Sequence, residues 1–210
     1  MSTPERSEDG LTVLRPTPAS RNRVLVLSIV VMLPSILALL INFGQQPWRI
    51  PVALALLGGA IWYLVAFLKV VRFEYGSGRY RLVTLYRRRD FAVANIRAVH
   101  TFDAFRQGIY TSKELLVEGT DGRRLARLNG QLWDVSLLTV AAQDMAANGV
   151  PLIPTAEPVT AAQVRAVHPR LITWFEAHQI LVGVLVGVGL ILLSIVALII
   201  VFAVLFAAAT

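Results

Sequence analysis

The sequence contains no cysteine, which excludes disulfide scaffolds, thiolate zinc sites, cysteine nucleophiles and iron–sulfur clusters. Charged residues are also scarce: they make up 16% of the 210 residues, against about 25% in an ordinary soluble domain. Lysine occurs only as Lys69 and Lys113, so arginine carries nearly all of the positive charge. Hydrophobic residues make up 56% of the chain, and the net charge is +7. This balance indicates an anionic partner.

Three long apolar runs predict three transmembrane helices, at residues 24–43, 50–70 and 180–206, because a helix needs roughly 20 apolar residues to span a bilayer. Arginines concentrate in residues 1–23 and 72–179, and the positive-inside rule places both segments in the cytoplasm and the C-terminus outside. Because the preference for arginine over lysine indicates a GC-rich bacterial genome, we expect a multi-pass protein of the bacterial inner membrane that begins with a mobile cytoplasmic tail.

Residues 72–153 change character, because short apolar runs there alternate with polar residues, as is typical of half-buried antiparallel strands. Asp121-Gly122 predicts a hairpin turn between two of these strands. An amphipathic helix is expected to begin near Asp134 and to end at Asn148-Gly149. Its apolar stripe is formed by Leu138, Ala141, Ala142 and Met145. The predicted unit is a small α+β domain, in which a bent antiparallel sheet or barrel is capped by its C-terminal helix.

Residues 154–179 are predicted to form a junction between the domain and the third span. A short helix is expected over residues 159–167, with Thr160 as its cap. The aromatic and apolar residues from Leu171 to Phe175 predict an interfacial helix that leads into the last span.

The predicted helical hairpin followed by Arg72–Tyr86 resembles the bacterial pleckstrin-homology-like membrane proteins, in which a transmembrane pair leads into a small PH-like domain. Residues 91–99 are similar to the family's apolar–x–x–Ile–x–x–Val strand entry. The hairpin at Asp121-Gly122 and the helix that ends at Gly149 complete a resemblance covering roughly residues 50–153. The resemblance implies a transmembrane helical pair that leads into a PH-like α+β domain.

A cluster of basic residues is the sharpest functional feature of the predicted domain, and it comprises Arg79, Arg81, Arg87, Arg88 and Arg89. It is expected to bind anionic lipid headgroups, to enforce membrane topology, or both. Convergence of these arginines in one basic pocket would favour lipid binding, and dispersal would favour topology control and protein docking. In the third span, Gly183 and Gly187 form a small-xxx-small pattern that predicts helix packing, within the chain or with another protein.

Catalytic chemistry finds little support in the sequence. His100, His168 and His178 show no HExxH or i,i+4 spacing, so we expect no metal site and no cofactor. No phosphate-binding, dinucleotide-binding or nucleophile-elbow motif occurs. Four acids could supply a carboxylate pair, namely Asp103, Glu114, Glu118 and Asp121. We nevertheless expect a protein without enzymatic activity, nucleic-acid partner or small-molecule substrate.

These observations predict a non-catalytic scaffold or accessory subunit that contacts membrane lipids and binds another membrane protein. The alternative function is an anionic-lipid-responsive module or a small component of a transport system.

Overall fold

A computed structural model describes residues 5–6, 10–42, 49–107, 110–185 and 188–189. The described elements are, in order, β1 Glu5–Arg6, β2 Thr12–Leu14, α1 Pro18–Asn42, α2 Arg49–Val70, β3 Arg72–Gly76, β4 Arg79–Val83, β5 Arg88–Ala92, a 3-10 turn Val93–Asn95, β6 Ile96–Gln107, β7 Tyr110–Gly119, β8 Arg124–Asn129, α3 Val135–Ala147, β9 Leu152–Thr155, β10 Val159–Thr160, α4 Ala161–Val167 and α5 Trp174–Ala177.

The strands form two sheets. The first is antiparallel in the order β1-β2-β3-β4-β5. The second contains the antiparallel run β6-β7-β8, and β9 and β10 both pair in parallel with the free edge of β6. The described chain is α+β, but the prediction of one bent antiparallel sheet or barrel is wrong, because the strands form two sheets and two of the pairings are parallel.

The main core lies between the sheets and is closed by α3. Phe73 and Tyr80 of the first sheet and Leu115 and Val117 of the second are all buried in it. The helix α3 adds the four residues of the predicted stripe, Leu138, Ala141, Ala142 and Met145, and this prediction is confirmed. Asp134 is the N-cap residue of α3, but its side chain makes no capping hydrogen bond there. It accepts one instead from the buried Ser20 hydroxyl, at 2.8 Å.

A second core covers the opposite face of the β6–β7 pair. It combines Phe102 and Leu116 of the sheet with Val164 of α4 and with Leu171 and Ile172, which follow that helix. The predicted helix at this place is confirmed, because Thr160 caps α4 and forms a reciprocal capping box with Gln163. The helix α4 thus fixes the chain after β10 against the outer face of the sheet.

The predicted transmembrane architecture is wrong for the part of the chain that the structure describes. Neither α1 nor α2, nor any other helix of those residues, is long and apolar enough to cross a membrane. The prediction treated every apolar residue of a run as lipid-facing, yet Leu68 is buried and Phe67 packs against the main core. Most of the third predicted span, residues 186–187 and 190–206, lies outside the described residues.

The predicted inner-membrane localisation and topology are wrong for the same part of the chain. Both depended on membrane-spanning helices, and the arginine rule orients only segments that cross a bilayer. The N-terminal tail also differs from its prediction. Strand β2 pairs with β3, and Val13 and Leu14 are buried. Part of the segment that was predicted to be mobile is therefore built into the first sheet.

Candidate functional site

Strands β4 and β5 distribute the five predicted arginines over different surfaces. Because Arg81 pairs with Asp90 and Val83 with Arg88, the side chains of Arg79, Arg81 and Arg88 share one face of the sheet. Arg89 pairs with Leu82 and belongs to the other face. Arg87 lies in the turn between the two strands, where its backbone N–H bonds the Thr84 carbonyl. The structure therefore does not bring the five arginines into one pocket.

Two arginines of the first face are engaged by acidic partners. Arg81 Nη1 lies 2.9 Å from Glu74 Oε2, and its Nε lies 2.6 Å from Asp90 Oδ1. Arg88 Nε lies 3.1 Å from the second Asp90 oxygen. The hydrogen bond from Arg81, with the charges of Arg81 and Arg88, lowers the pKa of Asp90. The acids offset only part of the positive charge on this face, because Arg81 and Arg88 share Asp90 and Glu74 also contacts Arg72, at 2.6 Å.

Arg87 and Arg89 belong instead to a cleft of about 210 Å³ between the first sheet and β8. We call it the arginine cleft and define it by Arg87, Arg89, Arg124 and Arg127, which line it together. Arg89 Nη1 spans the cleft and donates to the backbone oxygens of Arg124 and Leu125, at 3.2 Å each. The cleft therefore combines two of the predicted arginines with two residues of a distant strand that sequence reasoning did not single out.

Two of the four arginines in the cleft are balanced by acids, the buried Glu114 and the half-buried Glu176. Arg127 makes a two-pronged contact with Glu114, at 2.9 Å from Nε and 3.1 Å from Nη2, and also contacts Gln107. Arg124 Nη1 and Arg127 Nη1 reach the same Glu176 oxygen, at 2.8 and 2.9 Å. These contacts tie β8 to β7 and to the start of α5.

The two acids of this network respond differently to their surroundings. Burial raises the pKa of Glu114, and the Arg127 guanidinium offsets this only in part. Burial also opposes ionisation of Glu176, but the Thr173 backbone N–H and Arg124 outweigh it and lower the pKa of Glu176 to about 2. Glu176 is therefore the acid that holds its negative charge most firmly beside the cleft.

The other two arginines of the cleft lack such a counter-charge. Within the described ranges, no carboxylate oxygen lies within 4 Å of the Arg87 or Arg89 guanidinium. Partial burial, together with the like charges of Arg87 and Arg124, lowers the pKa of Arg89. Because like charges converge here without balance, the cleft favours an incoming anionic group.

The four candidate carboxylates all lie beside basic side chains. Each has a basic partner: Asp103 contacts Lys113 at 2.9 Å, and Asp121 contacts Arg123 at 3.8 Å. Glu114 contacts Arg127, as described above, and Glu118 contacts His100 at 2.8 Å. In the described part of the chain these acids therefore act as ion-pair partners.

The predicted helix-packing glycines are only partly described. A methyl group built on Gly183 would meet no atom within 4 Å, so this side of the helical stretch is open among the described residues. Gly187 lies outside the described residues. The packing role of this pattern stays a prediction.

One constellation was missed altogether. His100 on β6, Glu118 on β7 and His168 at the C-cap of α4 place one ligand atom each within 4.8 Å of one another. We call them the His–Glu–His cluster. The sequence separations of 18 and 50 residues match no ligand motif, and only the strand register and the position of α4 bring the three together. An early signal was the alternation Ala98, His100, Phe102, which places a histidine between two apolar residues on one face of a strand.

Searches against family models, curated proteins and solved structures found no match. The resemblance to the bacterial pleckstrin-homology-like proteins therefore stays a prediction.

Proposed function

We propose that this chain is a non-catalytic scaffold or accessory subunit that binds another protein, and that the arginine cleft receives an acidic segment of that partner. The observation that carries the proposal is the pair Arg87 and Arg89, two guanidiniums without a carboxylate partner among the described residues, at the mouth of a cleft. Arginine suits this role because its planar fork bonds carboxylates in two-pronged fashion.

The size of the cleft favours a side chain over a larger ligand. A volume of about 210 Å³ lies below the roughly 300 to 1,000 Å³ of small-molecule pockets. It admits one or two carboxylate side chains of an extended segment. The rest of that segment would lie along β5, which is the edge strand of the first sheet.

The dispersal of the five predicted arginines also favours protein docking over a lipid site. Arg79 and Arg81 line a different cavity from Arg87 and Arg89. Arg81 and Arg88 are already paired with acids. A headgroup site would need these cations to converge on one phosphate.

A charge-reversal experiment tests the proposal. The full-length chain, Arg87→Glu/Arg89→Glu and a control with the same change of charge, Arg106→Glu/Arg123→Glu, are titrated with a fluorescent oligoglutamate peptide. The control residues are exposed and lie outside the cleft. We expect at least tenfold weaker binding for the cleft variant only, and a steep loss of wild-type binding with added salt.

Two further probes separate the rival anions: vesicles of phosphatidylglycerol in phosphatidylcholine, and a single-stranded oligonucleotide of equal charge. Equal losses in both double variants would show that binding follows net charge and would overturn the proposal. Binding to vesicles or to the oligonucleotide, with none to the peptide, would overturn it in favour of a lipid or nucleic-acid site. Affinity capture of a protein by the wild type and the control, but not by the cleft variant, would then identify the partner.

A further inference from the structure

We propose that the His–Glu–His cluster binds one divalent transition metal ion, with zinc as the reference ion, through His100, Glu118 and His168. This inference is independent of the arginine cleft, which lies on other elements. It rests on the strand register, the ligand chemistry, the distances and the burial of the three side chains.

The register of the β6–β7 pair brings the first two ligands together. His100 is opposite Leu116, and Ala98 is opposite Glu118, so His100 and Glu118 are diagonal neighbours on one face. His100 Nε2 lies 2.8 Å from Glu118 Oε2. This face carries the second core, and both side chains are buried at its margin.

The third ligand comes from the segment that covers this face. His168 is the C-cap residue of α4, and its backbone N–H bonds the Val164 carbonyl at 2.7 Å. Its ring meets the His100 ring edge-on, with the centroids 4.8 Å apart. Because Val164, Leu171 and Ile172 anchor both flanks of His168 in the core, the imidazole is held over the His100–Glu118 pair.

The distances suit a small cation after slight movement. Zinc takes imidazole nitrogen and carboxylate oxygen at about 2.0 to 2.2 Å, so two ligands at a tetrahedral angle lie about 3.4 Å apart. The His100–Glu118 contact must open from 2.8 Å, and His168 must approach from a spacing of at most 4.8 Å. Small rotations of the Glu118 and His168 side chains accomplish both.

The chemistry of the donor set selects the class of ion. Two imidazoles and one carboxylate suit zinc, iron, cobalt, nickel or copper better than magnesium or calcium, which prefer all-oxygen sites. Arg97 Nη1 lies 3.4 Å from the second oxygen of Glu118, so it orients the carboxylate without blocking Oε2. Three protein ligands leave a coordination position for water.

A bound ion would fasten the segment after α4 to the β6–β7 pair, so metal should stabilise the fold as well as bind. We therefore expect one zinc ion per chain and a rise in the thermal unfolding midpoint with added zinc. Cobalt should give visible absorption bands typical of nitrogen and oxygen ligands at low coordination number.

The test uses the full-length chain after treatment with a chelator, with His168→Ala as the main variant. His168 is only half-buried, so its truncation spares the core. His178→Ala is the matched control, because His178 is equally half-buried and lies outside the cluster. Zinc affinity is measured by competition with a chromophoric chelator, and folding of each variant by circular dichroism.

His168→Ala should weaken zinc binding by more than the roughly 10- to 100-fold known for outer-shell partners of metal sites, and His178→Ala should leave it unchanged. Glu118→Gln, which keeps the shape of the side chain, should also abolish the rise in unfolding midpoint. Failure of the wild type to bind zinc in the micromolar range would overturn the proposal. Equal losses in both histidine variants would overturn it too, because they would identify adventitious surface binding.

Discussion

The ion-pair network beside the arginine cleft predicts how Glu176→Gln changes acid stability. The wild-type carboxyl has a folded pKa of about 2, against an ordinary value of 4.5. This gap corresponds to about 3 kcal/mol at about 1.4 kcal/mol per pH unit. Because the Glu176 side chain is partly exposed, solvent screening reduces its contribution, and we expect about 1 to 2 kcal/mol.

The direction of the pKa shift of Glu176 decides at which pH this carboxyl stabilises the fold. A carboxyl whose pKa is lowered by folding stabilises the protein above its unfolded pKa, and this stability is lost as the pH falls from 4.5 towards about 2. Glu114, whose pKa is raised, acts oppositely: its contribution is present at low pH and declines as the pH rises above its unfolded value. The two acids therefore affect different pH windows.

The assay is urea unfolding at a series of pH values, followed by tryptophan fluorescence that includes the buried Trp133. We expect the wild type and Glu176→Gln to differ by about 1 to 2 kcal/mol at neutral pH and to converge near pH 2. Glu157→Gln is the control, because Glu157 is exposed. Parallel curves for wild type and Glu176→Gln across this range would refute the reasoning.

Two further substitutions test the contacts of the fold. Tyr80→Phe should lower the free energy of unfolding by about 1.5 to 3 kcal/mol, because the hydroxyl of the buried Tyr80 donates to Asp144 at 2.9 Å. Urea titration measures this loss, and an unchanged urea midpoint would contradict it. Gly130→Ala should cost about 1 to 3 kcal/mol, since its Cβ would lie 2.8 Å from the Lys113 backbone oxygen. In Gly149→Ala the new methyl group would meet no atom within 4 Å, but φ at this position is +86°. This variant should cost only the roughly 1 to 2 kcal/mol of a residue in the left-handed region. Thermal melts should therefore show the larger loss for Gly130→Ala.

Local patterns predicted the local parts of the fold. The apolar stripe of α3 and the capping residue Thr160 needed only neighbours within one or two helical turns, and both are confirmed. Asp121-Gly122 likewise predicted the β7–β8 turn, where Gly122 has a φ of +72°. In each case the determining interactions lie close together in sequence.

Features that depend on distant residues escaped prediction. Hydrophobicity alone could not show that Leu68 and Val71 face a protein core, since lipid and core select the same side chains. Alternation of apolar and polar residues could not place Arg88–Asp90 in a strand either, yet they lie in β5, where Asp90 forms an ion pair with Arg81 of the neighbouring strand.

The candidate sites show the same limit. The sequence indicated Arg87 and Arg89, but their partners Arg124 and Arg127 are known only once β8 is placed beside the first sheet. Nothing in the sequence related His168 to His100, because α4 and the β6–β7 pair meet only through tertiary packing.

The pairing of β2 with β3 has a consequence for the order in which the chain folds. Leu14 and Phe73 are direct partners, so everything between them, including α1 and α2, leaves and re-enters the sheet at neighbouring points. In topological terms residues 15–71 are one long insertion between two adjacent strands. Closing such a loop costs more entropy than closing the short turns that join β3, β4 and β5. We therefore expect β2 to join the meander of β3, β4 and β5 late in folding.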